Sequence, residues 1–333
     1  MKPRLAYPAL LGALAALLAL FLFLSMLIGP SWQGTLNLLS AMRGDEGDLA
    51  WLIMAEIRLP RTLLAALIGF TLGVCGAALQ GLLRNPLADP GIIGVSPAAS
   101  LGAVLMLYTG LSTLFPLALP LAAIVSGLLA MLALQGLAGR GGMLTLILAG
   151  AGVSSLAGAL TALVLNLSPN PYAAQEIVFW IMGSVTDRSM DHVVLSAPFM
   201  LAGWVLLGLA APSLNALSLG EDTAASLGVD LRRTRWLVVG GAALAVGAAT
   251  AVSGVIGFVG LVVPHLMRPL VGHSPGRLLP ASGLAGAVLL LAADILVRVV
   301  TPGSELRLGV VTALLGAPFF LWLVLRARME LES

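Results

Sequence analysis

The chain has 333 residues, 59% of them hydrophobic and 10% charged, with a mean hydropathy of +1.05 and a formal net charge of +2. A soluble domain carries about a quarter charged residues, so these values exclude a water-soluble enzyme and describe a polytopic membrane protein surrounded by lipid. The small positive balance points to no nucleic-acid partner, because the arginines fall between apolar runs, where they set topology.

The first apolar run follows Lys2 and Arg4 and extends for about twenty residues without a small-x-small cleavage site. It is expected to be retained as a transmembrane helix rather than removed as a signal peptide. Runs long enough to span follow, and the full set is 9–28, 62–83, 92–109, 114–138, 143–167, 190–210, 234–252, 256–270, 278–300 and 306–325. That makes about ten helices in one transmembrane domain over 1–333, with the third and eighth short. With both termini inside, the basic residues divide eleven against six in favour of the inner side, Arg43, Arg58, Arg61, Arg188, Arg298 and Arg307 lying outside. Three segments between spans stand out: 30–57 with a small acidic cluster, 168–189 as an external amphipathic helix, and 211–235 as the longest polar inner segment.

"RTLLAALIGFTLGVCGAALQG" (61–81) and "RTRWLVVGGAALAVGAATAVSG" (233–254) share a basic start and glycine spacing but run in opposite directions. This echo is either an inverted repeat, as in many transporters, or a coincidence of Ala/Gly/Leu-rich sequence. The 39 glycines suit close helix packing, and the lone Cys75 sits in an apolar run, which leaves no disulfide framework. "RNPLADPGIIGVSP" (84–97) puts Asn85, Pro86, Asp89 and Pro90 at the inner end of the second span. It reads either as a loop with proline turns or as a re-entrant stretch shielded from lipid by protein.

Lys2 is the one lysine, so no Walker A loop is available and the chain cannot hydrolyse ATP by that route. His192, His265 and His273 are scattered, no metal-ligand spacing is present, and no nucleophile sits beside a base. Neither an enzyme nor a bound metal is expected. Asp294 is the deepest acid on a span, and Arg298 stands one turn away to pair with it.

The motifs "RLPR", "GAALQGLLRNPLADPGIIGVSPAAS", "SLGEDTAASLGVDL", "SGVIGFVGLVVPHLMR", "LLPASGLAGAVLLLAADILVRV" and "ELRLGVVTALLGAPFFLWL" occur in this order from about residue 50 to 328. Together they resemble the FecCD-type permease family of iron-chelate (haem, siderophore) and cobalamin ABC importers. The resemblance implies an all-α polytopic fold of the type II ABC importer permease, two copies around one pathway in a bacterial inner membrane. It implies a cytoplasmic ATPase dimer that carries ATP and Mg, with no cofactor on this chain, and a periplasmic substrate-binding protein.

By the same resemblance, Arg58, Arg61 and Arg298 face the binding protein, where their planar forks suit carboxylates. Gly220, Glu221, Ala225 and Gly228 belong to the coupling segment that enters the ATPase, pictured as two short helices joined at Gly228. Segment 168–189 becomes the external gate, with Phe179 and Trp180 either gating or packing. Asn166 and Ser154 on the fifth span line the pathway, and Met143 lies at its inner end, where "GRGGMLT" departs from the hydroxyl-rich turn of cobalamin permeases. Haem is the first substrate expected, siderophore iron next and cobalamin third. A carrier driven by an ion gradient is the rival class, and it would need an ionisable residue in mid-membrane.

Overall fold

The computed structural model describes residues 6–29, 40, 51–115, 117–139, 141–168, 170–272, 274–300 and 306–332. Most of the expected 30–57 loop and the N-terminal basic residues Lys2 and Arg4 lie outside them. The described helices are α1 (Tyr7–Leu27), α2 (Leu59–Leu82), α3 (Val95–Thr109), the single turn α4 (Leu111–Leu114), α5 (Ala118–Ala138), α6 (Met143–Asn166) and α7 (Pro171–Ile181). They continue with α8 (Met190–Leu217), α9 (Glu221–Ser226), α10 (Leu231–Ser253), α11 (Val259–Val271), α12 (Pro275–Val300) and α13 (Leu308–Glu332). Seven helices are long and apolar enough to cross a membrane, and the three shorter apolar helices are α3, α11 and α13. All ten coincide with the apolar runs of the sequence.

The spans alternate direction, which gives the bundle two ends. The near end holds the start of α1, the α2–α3 link and the segment around α9. The far end holds the stop of α1, the start of α2, α7, the end of α12 and the start of α13.

The core is built on α2 and α10, the two segments that echo each other in sequence. In each, 78% of the most apolar stretch is buried inside the protein, against 17% for α1 and 11% for α6. α2 packs on α12, α8, α11 and α10, while α10 packs on α8, α5, α2 and α3. In lipid there is little hydrophobic drive between helices, so close approach and dispersion contacts hold them together. Small residues make that approach possible. Gly69 and Gly73, one turn apart on α2, lie so near Gly286 and Ser282 of α12 that an added Cβ would strike their carbonyl oxygens.

α2 and α10 run in opposite directions, and each is followed by a break and then a short helix. After α2 the chain turns through 83–94, with a 3-10 turn at Pro90–Ile93, before α3. After α10 it unwinds over 254–258 before α11, whose N-cap Phe258 has a φ of 66°. The inverted echo in the sequence therefore corresponds to a shared helix–break–short-helix arrangement.

Candidate functional site

At the far end, helix α1 stops at Leu27, and the last carbonyls of a helix have no partner within it. Two arginines from elsewhere in the chain supply the donors. Arg58 Nη1 donates to the Met26 and Leu27 carbonyls, and Arg298 Nη1 donates to those of Ser25 (2.8 Å) and Ile28 (3.0 Å). Positive charge at a helix C-terminus is also favoured by its dipole. Arg298 Nη2 reaches both Ser25 Oγ (3.0 Å) and the Asp294 carboxylate, and Arg61 grips the other Asp294 oxygen at 2.7 Å.

Sequence reasoning turned Arg58 and Arg298 outward, but their relative exposures are 6% and 5%. Arg58 Nη1 and both Nη groups of Arg298 are engaged inside the chain, most of them at the end of α1. Arg61 keeps 16% of its side chain exposed. The expected Asp294–Arg298 pair one turn apart is present, with Arg61 added to it.

Beside this cluster, three backbone segments meet at glycines. Gly183 (φ 75°) follows α7, Gly254 (φ 71°) follows α10, and Gly309 lies in the first turn of α13. Ser184 N–H donates to the Ser253 carbonyl at 2.7 Å and Gly309 N–H to the Gly183 carbonyl at 3.1 Å. A Cβ on any of the three glycines would strike a carbonyl of a neighbouring segment. Segment 168–189 is thus joined through its backbone to the break after α10.

Asn170 caps α7 by accepting from Ala173 N–H at 2.8 Å. That fixes α7 as the short amphipathic helix expected between residues 168 and 189. Phe179 is exposed and Trp180 half-buried, and both line a cavity of about 460 Å³ together with Arg188 and Arg307. Arg307 lies over the Phe179 ring at 5.3 Å. Burial lowers the Arg188 guanidinium from its ordinary value, Asp187 opposes that shift, and Arg307 adds to it.

The segment after α2 is re-entrant. Pro90 packs at Gly260 of α11, and Ser154 in the middle of α6 donates to the Gly91 carbonyl at 3.3 Å. Asp89 accepts from Gly91 N–H at 2.8 Å, and Asn85 accepts from Leu87 N–H at 2.9 Å while Pro86 follows it in the turn. The prolines remove donors that would otherwise be orphaned, and the two side chains satisfy donors that remain.

Gln80, which sequence reasoning passed over, joins this segment to the second break. Its Nε2 lies 3.3–3.4 Å from the carbonyls of Ala88, Gly260 and Leu261, and its Oε1 accepts from Arg268 at 2.6 Å. A single amide in an otherwise apolar span was the available signal. His265 packs edge-on against Phe319 with ring centroids 5.7 Å apart, which agrees with a structural histidine. Among the described residues no three His, Cys, Asp or Glu side chains gather as metal ligands.

At the near end, Gly220 (φ 114°) and Gly228 (φ 81°) bracket α9. Ala224 anchors α9 with no exposed surface, while Ala225 and Gly228 are exposed and Glu221 is half-buried. The pictured second short helix is absent: beyond Gly228 the chain enters α10 directly, with Asp230 capping it through Arg233 N–H at 3.0 Å. Leu219 and Leu227 stand at the two ends of α9 with 65% and 64% of their surface exposed. Glu221 and Met143 line one cavity with Arg235, whose guanidinium donates to the carbonyls of Gly139 and Gly141 and so pins the α5–α6 turn. Asn166, at the far end of α6, is exposed.

An all-α bundle with two broken helices at its centre and a projecting element at one end defines a multi-pass membrane permease. The model of the FecCD transport family matches residues 17–326. The vitamin B12 import system permease BtuC of Vibrio cholerae is 41% identical over 316 residues, covering 93% of this chain and 92% of that protein. The hemin transport system permease HmuU of Yersinia pestis is 38% identical over 342 residues, covering 99% and 98%. A solved metal-chelate type ABC transporter in an inward-facing conformation superposes with a TM-score of 0.83 at 34% identity, covering 96% of this chain and 99% of that one. The chain belongs to the FecCD transport family and is an ABC importer permease of that family.

Proposed function

We propose that this permease carries an iron chelate, haem in the first place, from the periplasm to the cytoplasm, powered by a separate ATPase. The near end with both termini faces the cytoplasm of a bacterial inner membrane. Siderophore-bound iron is the second substrate choice and cobalamin the third.

The observation that carries the reading is the projecting α9, anchored by Ala224 yet presenting Leu219 and Leu227 to solvent in a polar segment. Two large apolar side chains held out by a short, glycine-bracketed helix fit the cleft of a partner subunit better than water. Closure of an ATPase dimer around two such elements would move them together and bias the bundle between its two openings, provided each ligand prefers a different state. A second copy of the chain completes the pathway against the outward faces of α6 and α13, where Leu148, Leu156, Leu314 and Leu321 are all more than half exposed. A binding protein docks at the far end. Arg61 is accessible to its carboxylates, and Arg58 and Arg298 hold the surface in place behind it.

A carrier driven by an ion gradient would need a titrating group in the bundle. Among the described residues Asp294 is the one buried carboxylate on a spanning helix, and two arginines hold it; Asp89, in the turn after α2, has its carboxylate engaged by Gly91 N–H. The test is reconstitution in liposomes with the cognate ATPase and binding protein, followed by hemin uptake. Uptake that requires internal ATP and ignores ionophores is expected. Uptake that continues without ATP and collapses with the ion gradient would overturn the reading in favour of a secondary carrier.

A further inference from the structure

We propose that the far-end cavity between α7 and the start of α13 is a receiving site for the carboxylate-bearing edge of an anionic metal chelate. This deepens the proposed function and rests on it. The cavity measures about 460 Å³, within the range of sites that hold a drug-sized group.

Its cations and its acids are placed differently. Arg188 and Arg307 are half-buried, whereas Glu176 and Asp187 are exposed at the rim. Water and salt screen exposed charges strongly and half-buried ones less, so the inner wall acts as positive although the formal charges balance. Behind that wall, Arg188 Nε and Trp180 Nε1 have no hydrogen-bond partner among the described residues, and a buried donor left unmade is costly, so a small shift that brings either one to an acceptor in the cavity is favoured.

A carboxylate offers acceptors only and can take two donors at once. Trp180 and Phe179 add aromatic, apolar surface to the same wall, which a conjugated ligand can contact. Arg307, already over Phe179, is held in place to meet the charge. Hemin combines a conjugated plane with two carboxylates at one edge. Cyanocobalamin is net neutral, with amides on its periphery, and gains little from such a wall. The site therefore selects anionic planar chelates over neutral corrinoids.

The test uses the full complex with its ATPase and binding protein in liposomes, with hemin, hemin dimethyl ester and cyanocobalamin as probes. In the wild type the ester, which lacks the carboxylates, is expected to show a KM about tenfold higher than hemin, the scale of one charged hydrogen bond. In Arg188→Gln with Arg307→Gln the hemin KM rises by a similar factor and the penalty for the ester disappears. Arg188→Lys with Arg307→Lys restores most of the hemin affinity. Comparing ligand and variant together cancels any discrimination by the binding protein.

Equal KM values for hemin and its ester in the wild type overturn the site without relying on any variant. A penalty for the ester that persists undiminished in the double glutamine variant overturns it too. ATP-driven uptake of cyanocobalamin but not hemin would leave the permease reading standing and end this inference. Absence of ATP-driven uptake of any probe would overturn the permease reading on which it rests.

Discussion

Asp294 has 1% of its surface exposed and is clasped by Arg61 and Arg298. Removing one member of a buried pair leaves a charge without compensation, at a cost of about 3–5 kcal/mol. Asp294→Asn is therefore expected to lower the unfolding midpoint in detergent markedly. A midpoint unchanged by Asp294→Asn would show that the cluster is solvated. Gln80 gives a second prediction of this kind. Gln80→Leu keeps the side-chain size but leaves Arg268, the Ala88 carbonyl of the turn after α2 and the Gly260 and Leu261 carbonyls in the first turn of α11 without their shared partner. A loss of about 2–4 kcal/mol follows from removing one buried amide with several partners, together with faster hydrogen exchange at 88–94 and 259–262. Exchange that stays at the wild-type rate in both segments would contradict the shared-partner role.

The contact between α2 and α12 depends on the absence of side chains. Gly73→Val introduces an isopropyl group whose Cβ alone would strike the Ser282 carbonyl, and forced overpacking costs about 1–3 kcal/mol or more. The variant is expected to yield little folded protein, while Gly152→Val on α6, with open space around it, should be tolerated. Equal yields of the two would refute the close-approach argument. The spans themselves were legible because apolar length registers directly in sequence, and the bounds agree to within a few residues except where α8 and α13 run longer. The re-entrant turn could only be posed as a choice. Prolines and an Asx cap suit a surface loop as well as a buried one, and only Ser154, Gly260 and Gln80, distant in sequence, decide it. The arginine cluster was read outward for the same reason: a basic residue at a span end looks like a surface charge until the carbonyls of α1 are placed against it.

Viewed whole, the permease is a rigid centre of α2, α10 and α12 with more loosely packed elements around it. α6 and α13 touch that centre over small areas, and α9 projects beyond it. Movement is expected in the outer helices, with the centre acting as the frame. Leu219→Glu with Leu227→Glu alters the projecting surface without touching the core. It should reduce co-purification of the ATPase about tenfold or more, as loss of two apolar anchors implies, while the permease itself remains folded. Retained co-purification would move the contact elsewhere on the near end.

The Gln80 link also bears on how the protein is made. Its partners at Gly260 and Leu261 are 180 and 181 residues later in the chain. At a synthesis rate of about 5–20 residues per second, that separation corresponds to roughly 10–35 seconds. For that interval the turn at 83–94 has been released from the ribosome with α11 still unmade. Unpaired backbone cannot rest in hydrocarbon, so the turn must stay at the near-end membrane surface or within the insertion machinery. It settles against α11 only when the second half of the chain arrives, which makes the closing of this turn one of the last steps in the protein's assembly.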